Sequence, residues 1–210
     1  MMMAHGDSML QTDYFGLKFC FPDSVYEPAE DSFLLAKHAA KQKGRILEIG
    51  CGSGIAALNN AKNNPQNEVV GVDINPDAVK CAKENAKLNS LRNAKFFKGD
   101  LFSAIAPSEK FDAILFNPPY LPTSRVERVS GNLNAAFDGG KSGRRILDRF
   151  LRAFPKFLKP RGAVLLIHSS LNHPEKTEKI LKEKGFRMEI LETESFFFER
   201  IYVTKISRCL

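Results

Sequence analysis

Arg45-Ile46-Leu47-Glu48-Ile49-Gly50-Cys51-Gly52-Ser53-Gly54-Ile55 carries a short apolar, β-rich run into a glycine-rich turn and out into helical spacing. A buried strand that empties into such a turn and then a helix is the opening unit of a βαβ layer. Glycines at 50, 52 and 54 let the backbone turn tightly and approach a ligand where a Cβ would collide. The helix that follows, expected over Ile55–Lys62, offers unpaired N–H groups at its start.

The same alternation continues outward. Glu68–Asp73 reads as the second strand, and Asn75-Pro76 as a helix start with Pro in the first turn. Asp77–Leu88 has helical spacing, with Ala78, Val79, Ala82 and Ala86 on a small apolar face. Ala94–Lys98 and Phe111–Phe116 read as strands three and four. Helical pattern returns at Arg144–Phe157, and a Lys159-Pro160-Arg161-Gly162 turn leads into strand Ala163–His168. Glu175–Lys184 is an amphipathic helix; Phe186–Leu191 and Phe197–Lys205 are two strands joined closely enough for an antiparallel hairpin. Upstream, Ala29–Lys41 reads as a helix entered through Glu27-Pro28. The expected fold is α/β, a mainly parallel seven-stranded sheet with a C-terminal antiparallel hairpin. No repeat or linker divides it, so residues 1–210 read as one domain with 1–25 as a lead-in. Residues 118–143 break the pattern with three prolines and four glycines, and a loop of that length is usually functional.

Bulk properties agree. A length of 210 residues, 43% hydrophobic and 26% charged, suits one globular domain with a full core. The formal charge of +7 favours acidic partners, but the excess is spread along the chain and argues only weakly for nucleic acid. Cys20, Cys51, Cys81 and Cys209 form no CxxC pair, which indicates neither a disulfide framework nor a metal site. Met1–Gln11 lacks a signal-peptide pattern, and no apolar run is long enough to span a membrane. The expected location is cytoplasmic.

Asp73 ends strand two about 20 residues after the glycine turn, where a carboxylate can accept both hydroxyls of a ribose. It could instead cap the next helix, although Asn75 is placed for that role. A dehydrogenase and a methyltransferase both fit this much. A dinucleotide site expects a third glycine three places after the second, whereas Gly54 follows Gly52 by two. Glu48 would repel a pyrophosphate and is better suited to a cationic amino group. Asp100, after Lys98-Gly99 at the end of strand three, can accept a hydrogen bond from an adenine amino group, with Leu101 against the base edge. Its alternative role is to cap a short helix. A ribose, an adenine and a cationic amino group together describe S-adenosyl-L-methionine.

Strand four runs through Ala113–Phe116 into Asn117-Pro118-Pro119-Tyr120. Ligands in open α/β sheets gather beyond the carboxyl ends of the strands, so this tetrapeptide should face the glycine turn. The two prolines stiffen the backbone and hold Asn117 and the Pro118 carbonyl in fixed directions. An amide or aniline-like NH₂ is a poor nucleophile because its lone pair is delocalised. The Asn117 side-chain oxygen and the Pro118 carbonyl can each take one of its N–H groups and direct the lone pair at the sulfonium methyl. The gain is positioning and stabilisation of developing positive charge. Tyr120 can stack on the planar group. A Pro-Pro turn without a role fits poorly with its place opposite Gly50–Gly54 and Asp73. The reading is an N-methyltransferase in which Asn117, Pro118 and Tyr120 are catalytic, and Asn117, Pro118, Pro119 and Tyr120 bind the substrate.

Together, Gly50-x-Gly52-x-Gly54, Asp73, Asp100 and Asn117–Tyr120 resemble class I methyltransferases of the HemK/PrmC kind, especially their short archaeal and eukaryotic branch. Tyr26-Glu27-Pro28-Ala29-Glu30-Asp31-Ser32 is similar to that branch's opening motif. So is Phe137-Asp138-Gly139-Gly140-x-x-Gly143-Arg144 to the motif after its NPPY loop. The likeness runs from about Tyr26 to Lys205. It implies a Rossmann-like fold with helices on both faces of the sheet, and cofactor contacts from Ser32, Glu48, Gly50, Gly52, Asp73, Asp100, Leu101 and Asn117. Ser32 stands where the family often has Thr and keeps the hydroxyl. The implied substrate is the glutamine of the Gly-Gly-Gln motif in a translation release factor, methylated at N5. The bacterial members' helical N-terminal domain has no counterpart here. The resemblance also implies a small zinc-binding activator subunit covering apolar surface near the first sheet strands.

Other features read as structural. His168-Ser169-Ser170 lacks the elbow and acid of a hydrolase, so His168 is expected as a strand-end polar residue. Glu30 and Asp31 are expected to favour a helix N-terminus. Glu175–Lys184 reads as a solvated face, and Phe196-Phe197-Phe198 as the core edge of a strand, with room for one exposed ring near the hairpin. The alternative substrate is an exocyclic amine of the N6-adenine type in DNA or RNA, because the same clamp suits it. A dehydrogenase and a non-catalytic methyltransferase subunit are the other readings.

Overall fold

The structure is a computed structural model that describes residues 11–120, 140 and 142–209. Strands β3 (Arg45–Ile49), β4 (Glu68–Asp73), β5 (Ala94–Lys98) and β6 (Phe111–Phe116) lie parallel, as does β7 (Leu158–Ser169) beside β6. Strands β8 (Phe186–Ser195) and β9 (Arg200–Arg208) close the sheet antiparallel, in the order β5-β4-β3-β6-β7-β9-β8. The chain winds outward from β3 to β5, then crosses to β6 on the other side of β3. That reversal opens a crevice beyond the carboxyl ends of β3 and β6.

Alternation along the strands sends side chains to two cores. Ile46, Ala113, Leu115, Leu165 and Ile167 pack on one face, with α1 (Glu30–Ala39), α2 (Ile55–Asn63) and α3 (Pro76–Leu88). Leu47, Ile114, Phe116, Val164 and Leu166 pack on the other, with α4 (Arg145–Ala153) and α5 (Pro174–Glu183). Period-two burial on both faces is what a parallel sheet between helix layers requires. This is the expected class I methyltransferase fold.

Several local expectations need correction. The lead-in contains a hairpin, β1 (Gln11–Tyr14) and β2 (Leu17–Cys20), turned through Phe15 and Gly16 at positive φ. It buries Leu17 and Phe19, and Asn85 of α3 and Asn89 just after it hold it by accepting from the Cys20 and Lys18 N–H groups. Helix α4 stops at Ala153 and passes into a 3₁₀ turn at Phe154–Lys156, because Pro155 cannot continue an α-helix. The expected Lys159–Gly162 turn lies inside β7 as an irregularity, with the register jumping from Phe111↔Leu158 to Ala113↔Ala163. Strand β8 continues to Ser195 and β9 begins only at Arg200, so Phe196–Phe198 form the hairpin tip rather than a core edge. Phe197 is 92% and Phe198 84% exposed. Among the described residues, no helix is long and apolar enough to cross a membrane.

Candidate active site

The crevice holds a cavity of about 430 Å³. Ser32, Glu48, Gly50, Gly52, Asp73, Asp100, Leu101, Asn117, Pro118, Pro119 and Tyr120 all line it, so the residues expected to hold cofactor and substrate reach one space; Gly54 does not line it. Four separate strand ends and one helix supply them.

The glycine turn forms the floor. The N–H of Gly50 donates to the Val72 carbonyl at 2.7 Å, and that of Gly52 to Asp73 Oδ2 at 2.9 Å. At Gly52, with φ +51°, an added Cβ would meet nothing within 4 Å, so this backbone faces open space. Asp73 Oδ1 accepts from Asn75 N–H at 2.8 Å, while Asn75 Oδ1 caps α3 by accepting from Asp77 N–H at 2.9 Å. Asp73 therefore braces the turn and leaves helix capping to Asn75. Burial raises its pKa, against the pull of those N–H donors.

Glu48 is buried and its Oε2 accepts from the Ala57 N–H of α2 at 2.8 Å. Burial pushes its pKa up to about 8; the Ala57 N–H opposes this and the nearby Asp73 carboxylate adds to it. At the far end, Asp100 Oδ2 accepts from Arg149 of α4 at 2.7 Å. The turn after it is bonded by Ser103, whose Oγ accepts from Asp100 N–H at 2.8 Å, so the Asp100 carboxylate does not cap. Leu101 sits at φ +52° beside it.

Asp31 organises the acceptor end, a role its sequence position did not reveal. It is 6% exposed, and one oxygen, Oδ2, accepts from Asn117 Nδ2 at 2.9 Å and from the Tyr120 hydroxyl at 3.2 Å. Oδ1 takes the Ser32 N–H at 2.6 Å, the Ser32 hydroxyl at 3.2 Å and, more loosely, the Tyr26 hydroxyl at 3.5 Å. This replaces the expectation that Asp31 merely favours a helix N-terminus; exposed Glu30 remains in the first turn of α1. The amide orientation at Asn117 follows: with Nδ2 tied to a carboxylate, Oδ1 must point elsewhere. Oδ1 is buried and has no hydrogen-bond partner among the described residues. Burial, then Asp31 and Glu199, push the Tyr120 phenol far above its ordinary range, so it stays a donor.

Gly143 closes the far end of the 118–143 segment. At φ +65°, a Cβ there would collide with the Tyr120 carbonyl, so the two ends of the segment touch. Arg144 is buried and donates to the Asn172 and His173 carbonyls, Thr177 Oγ1 and Asp148. Of the motif before it, Phe137, Asp138 and Gly139 lie outside the described residues. His168 is fully buried against Thr177 Oγ1 at 2.8 Å, and burial lowers its pKa to about 4. It does not line the cavity. Tyr26, which opens the motif ahead of the first strand, lines it too; so do Ile146 and Arg149, which were not singled out from the sequence because neither sits in a recognisable spacing.

Comparison with known proteins agrees with this geometry. Residues 27–198 match the methyltransferase small domain family. A Methanocaldococcus jannaschii protein provisionally named protein N5-glutamine methyltransferase is 50% identical over 90% of this chain and 94% of its own. Human "Methyltransferase HEMK2" is 39% identical over 78% of this chain and 80% of its own. Among solved structures, E. cuniculi Mtq2, in a complex with Trm112 described as methylating the eRF1 translation termination factor, superposes with a TM-score of 0.67. It is 26% identical and covers 88% of this chain and 99% of its own. With residues 27–198 matched, and with the glycine turn, Asp73 and Asn117–Tyr120 lining one cavity, this chain belongs to the methyltransferase small domain family.

Proposed function

We propose that this chain transfers a methyl group from S-adenosylmethionine to the side-chain amide nitrogen of a glutamine in a translation release factor. The observation that carries the reading is the buried Asn117 Oδ1, which has no partner among the described residues while Asp31 holds Nδ2. A buried acceptor is costly unless something donates to it, and a planar NH₂ supplies a donor of the right kind. The names of similar proteins support glutamine over other planar amines.

The cavity residues suit the cofactor. The open space over Gly52 admits a ligand against the backbone. Each Asp73 oxygen accepts one N–H and keeps a lone pair for a ribose hydroxyl. Glu48 can take a cationic amino group, and Asp100 Oδ1 an adenine amino group. Ser32 would contact the cofactor beside Asp31, and Leu101 the base edge. When bound, S-adenosylmethionine supplies an electrophilic methyl on a sulfonium.

Asn117 Oδ1 and the Pro118 carbonyl each accept one N–H of the glutamine amide, which turns its lone pair toward the methyl. They also stabilise positive charge as the new N–C bond forms and the C–S bond breaks. The nitrogen, cationic once methylated, would then release one N–H proton to solvent. Pro119 stiffens the clamp, while Asp31 fixes the Asn117 amide and Tyr120 hydroxyl so that Tyr120 can stack on the acceptor plane.

The proposal extends to a small zinc-binding activator subunit, supported by exposed Ile74, Leu88 and Phe97 near the β4–β5 side of the sheet. It includes a cytoplasmic, reducing location, supported by four free cysteines. It also treats 1–210 as one working domain, since both cores share one sheet. Incubation with labelled cofactor and an archaeal-type release factor tests the substrate. Label should enter the wild-type factor and not its Gly-Gly-Ala variant. Equal labelling of both, or label destroyed by nuclease, contradicts the reading; the latter would place the acceptor on a nucleic-acid exocyclic amine.

A further inference from the structure

The β8–β9 tip exposes two large rings on a fixed turn beside the acceptor end of the cavity. Phe196 N–H donates to the Glu199 carbonyl at 2.8 Å, closing the turn, and Phe197 and Phe198 stand edge to face with centroids 4.6 Å apart. They are 92% and 84% exposed, although such rings gain most from burial. Short hairpin turns favour Asn, Asp or Gly, so adjacent Phe residues contribute nothing to the turn itself.

The base of the tip is tied to the 3₁₀ turn Ser170–Asn172, which lies against Gly143 and, through it, the Tyr120 carbonyl. Glu199 accepts from Ser169 Oγ at 2.6 Å, where β7 ends, and Ser169 Oγ also accepts from Leu171 N–H at 3.0 Å. Arg200 N–H donates to Ser170 Oγ at 3.0 Å. Leu171, 41% exposed, thus sits beside the tip and adds to its apolar surface. The Glu199 carboxylate also acts on the Tyr120 phenol, which places the tip's base within electrostatic reach of the clamp.

Charge decides what can sit there. From Glu189 through Arg200 the chain has four glutamates and one arginine, in a protein whose formal charge is +7. Lys37 and His38 hold Glu192, while Glu194 is exposed near the tip. Glu189 faces Lys205 and Glu192 is paired, so Glu194 and Glu199 set the charge beside the rings; with the two aromatic side chains they suit a basic protein surface carrying apolar groups better than a phosphate backbone. Exposed aromatic anchors beside a pocket are the type of residue that dominates protein recognition.

We infer that Phe197 and Phe198 dock the protein substrate, gripping a basic, apolar-bearing surface that flanks the methyl-acceptor loop. The inference rests on the proposed protein-glutamine reading and adds the residues that recognise the intact substrate.

The test uses the full chain with serine at both positions, F197S/F198S, which removes exposed rings and leaves both cores whole. Calorimetry with the intact release factor, in the presence of S-adenosylhomocysteine, should show at least tenfold weaker binding. Cofactor affinity and melting temperature should stay unchanged. Glu194→Lys should also weaken factor binding, more at low salt than at high. Binding by F197S/F198S within twofold of wild type overturns the inference while leaving the glutamine reading intact, provided the wild type still methylates the factor. If the wild type labels only RNA, and F197S/F198S loses RNA binding, the rings stack on bases and the protein-docking inference fails with the substrate reading.

Discussion

At the scale of single residues, the account turns on Asn117, whose side-chain oxygen is buried and without a partner among the described residues, because Asp31 holds its nitrogen. Asn117→Ala should lower turnover by about 10²–10³, the cost of losing one preorganised acceptor. It should change cofactor affinity less than Asp73→Ala does. Asp31→Asn presents an amide where Asn117 and Tyr120 need a carboxylate; turnover should fall roughly 10²-fold through misplacement of the clamp. Steady-state kinetics with parallel cofactor titrations separate these outcomes. Glu48 gives a pH test. Burial raises its pKa from 4.5 to about 8, so the empty fold binds an extra proton and loses stability as pH rises across that interval. A cationic amino group beside it favours the charged form, so cofactor binding should release a proton. Affinity should then rise by up to about tenfold per pH unit below 8 and level off above it, with Glu48→Gln flattening the curve. Calorimetry in buffers of different ionisation enthalpy reads the proton directly. Asp73 and Asn117 were legible in the sequence because each sits at a strand end with a characteristic neighbour. The Asp31–Asn117 bond was not, because it joins residues 86 apart and depends on how α1 meets β6.

At the scale of elements, strands β3 to β6 were readable to the residue, since buried parallel strands are short apolar runs bounded by turn residues. The β1–β2 hairpin was not. Each strand has four residues, and its stability comes from burying Leu17 and Phe19 and from the side chains of Asn85 in α3 and Asn89 just after it, far away in sequence. The Lys159–Gly162 segment looked like a turn because it holds Pro and Gly, yet it runs on as part of β7. A Cβ at Gly162 would lie 3.0 Å from the Phe111 and Asp112 carbonyls, so glycine there serves a close approach between strands. Gly143 plays a similar part at the clamp. Gly143→Ala should cost roughly 1–3 kcal/mol from its φ of +65° alone. The collision with the Tyr120 carbonyl should also displace the clamp. Thermal melting and turnover should both fall, with cofactor affinity less affected; unchanged turnover would mean that the contact does not set the position of Tyr120.

At the scale of the whole molecule, one sheet divides two cores, and the cavity sits where their helix layers part beyond the strand ends. Phe150 stands in the second core, against Phe102, Phe116 and Phe154, and Phe116 precedes the clamp directly. Phe150→Ala should cost about 3–5 kcal/mol and lower the melting temperature by roughly 10 °C. Calorimetric scanning checks this, and a shift of only a degree or two would show that the second core does not support the fold as described. The overall charge of +7 gave little guidance about the substrate, because local charge around the acceptor end differs from the average. The most direct test of the central claim is mass-spectrometric mapping of the release factor after incubation with the wild-type chain and with Asn117→Ala. The account predicts one added methyl group on the glutamine of the Gly-Gly-Gln motif with the wild type and, over the same initial-rate interval, at least about a hundredfold less of it with the variant. A methyl group at any other residue, or modification at the same rate by Asn117→Ala, would contradict it.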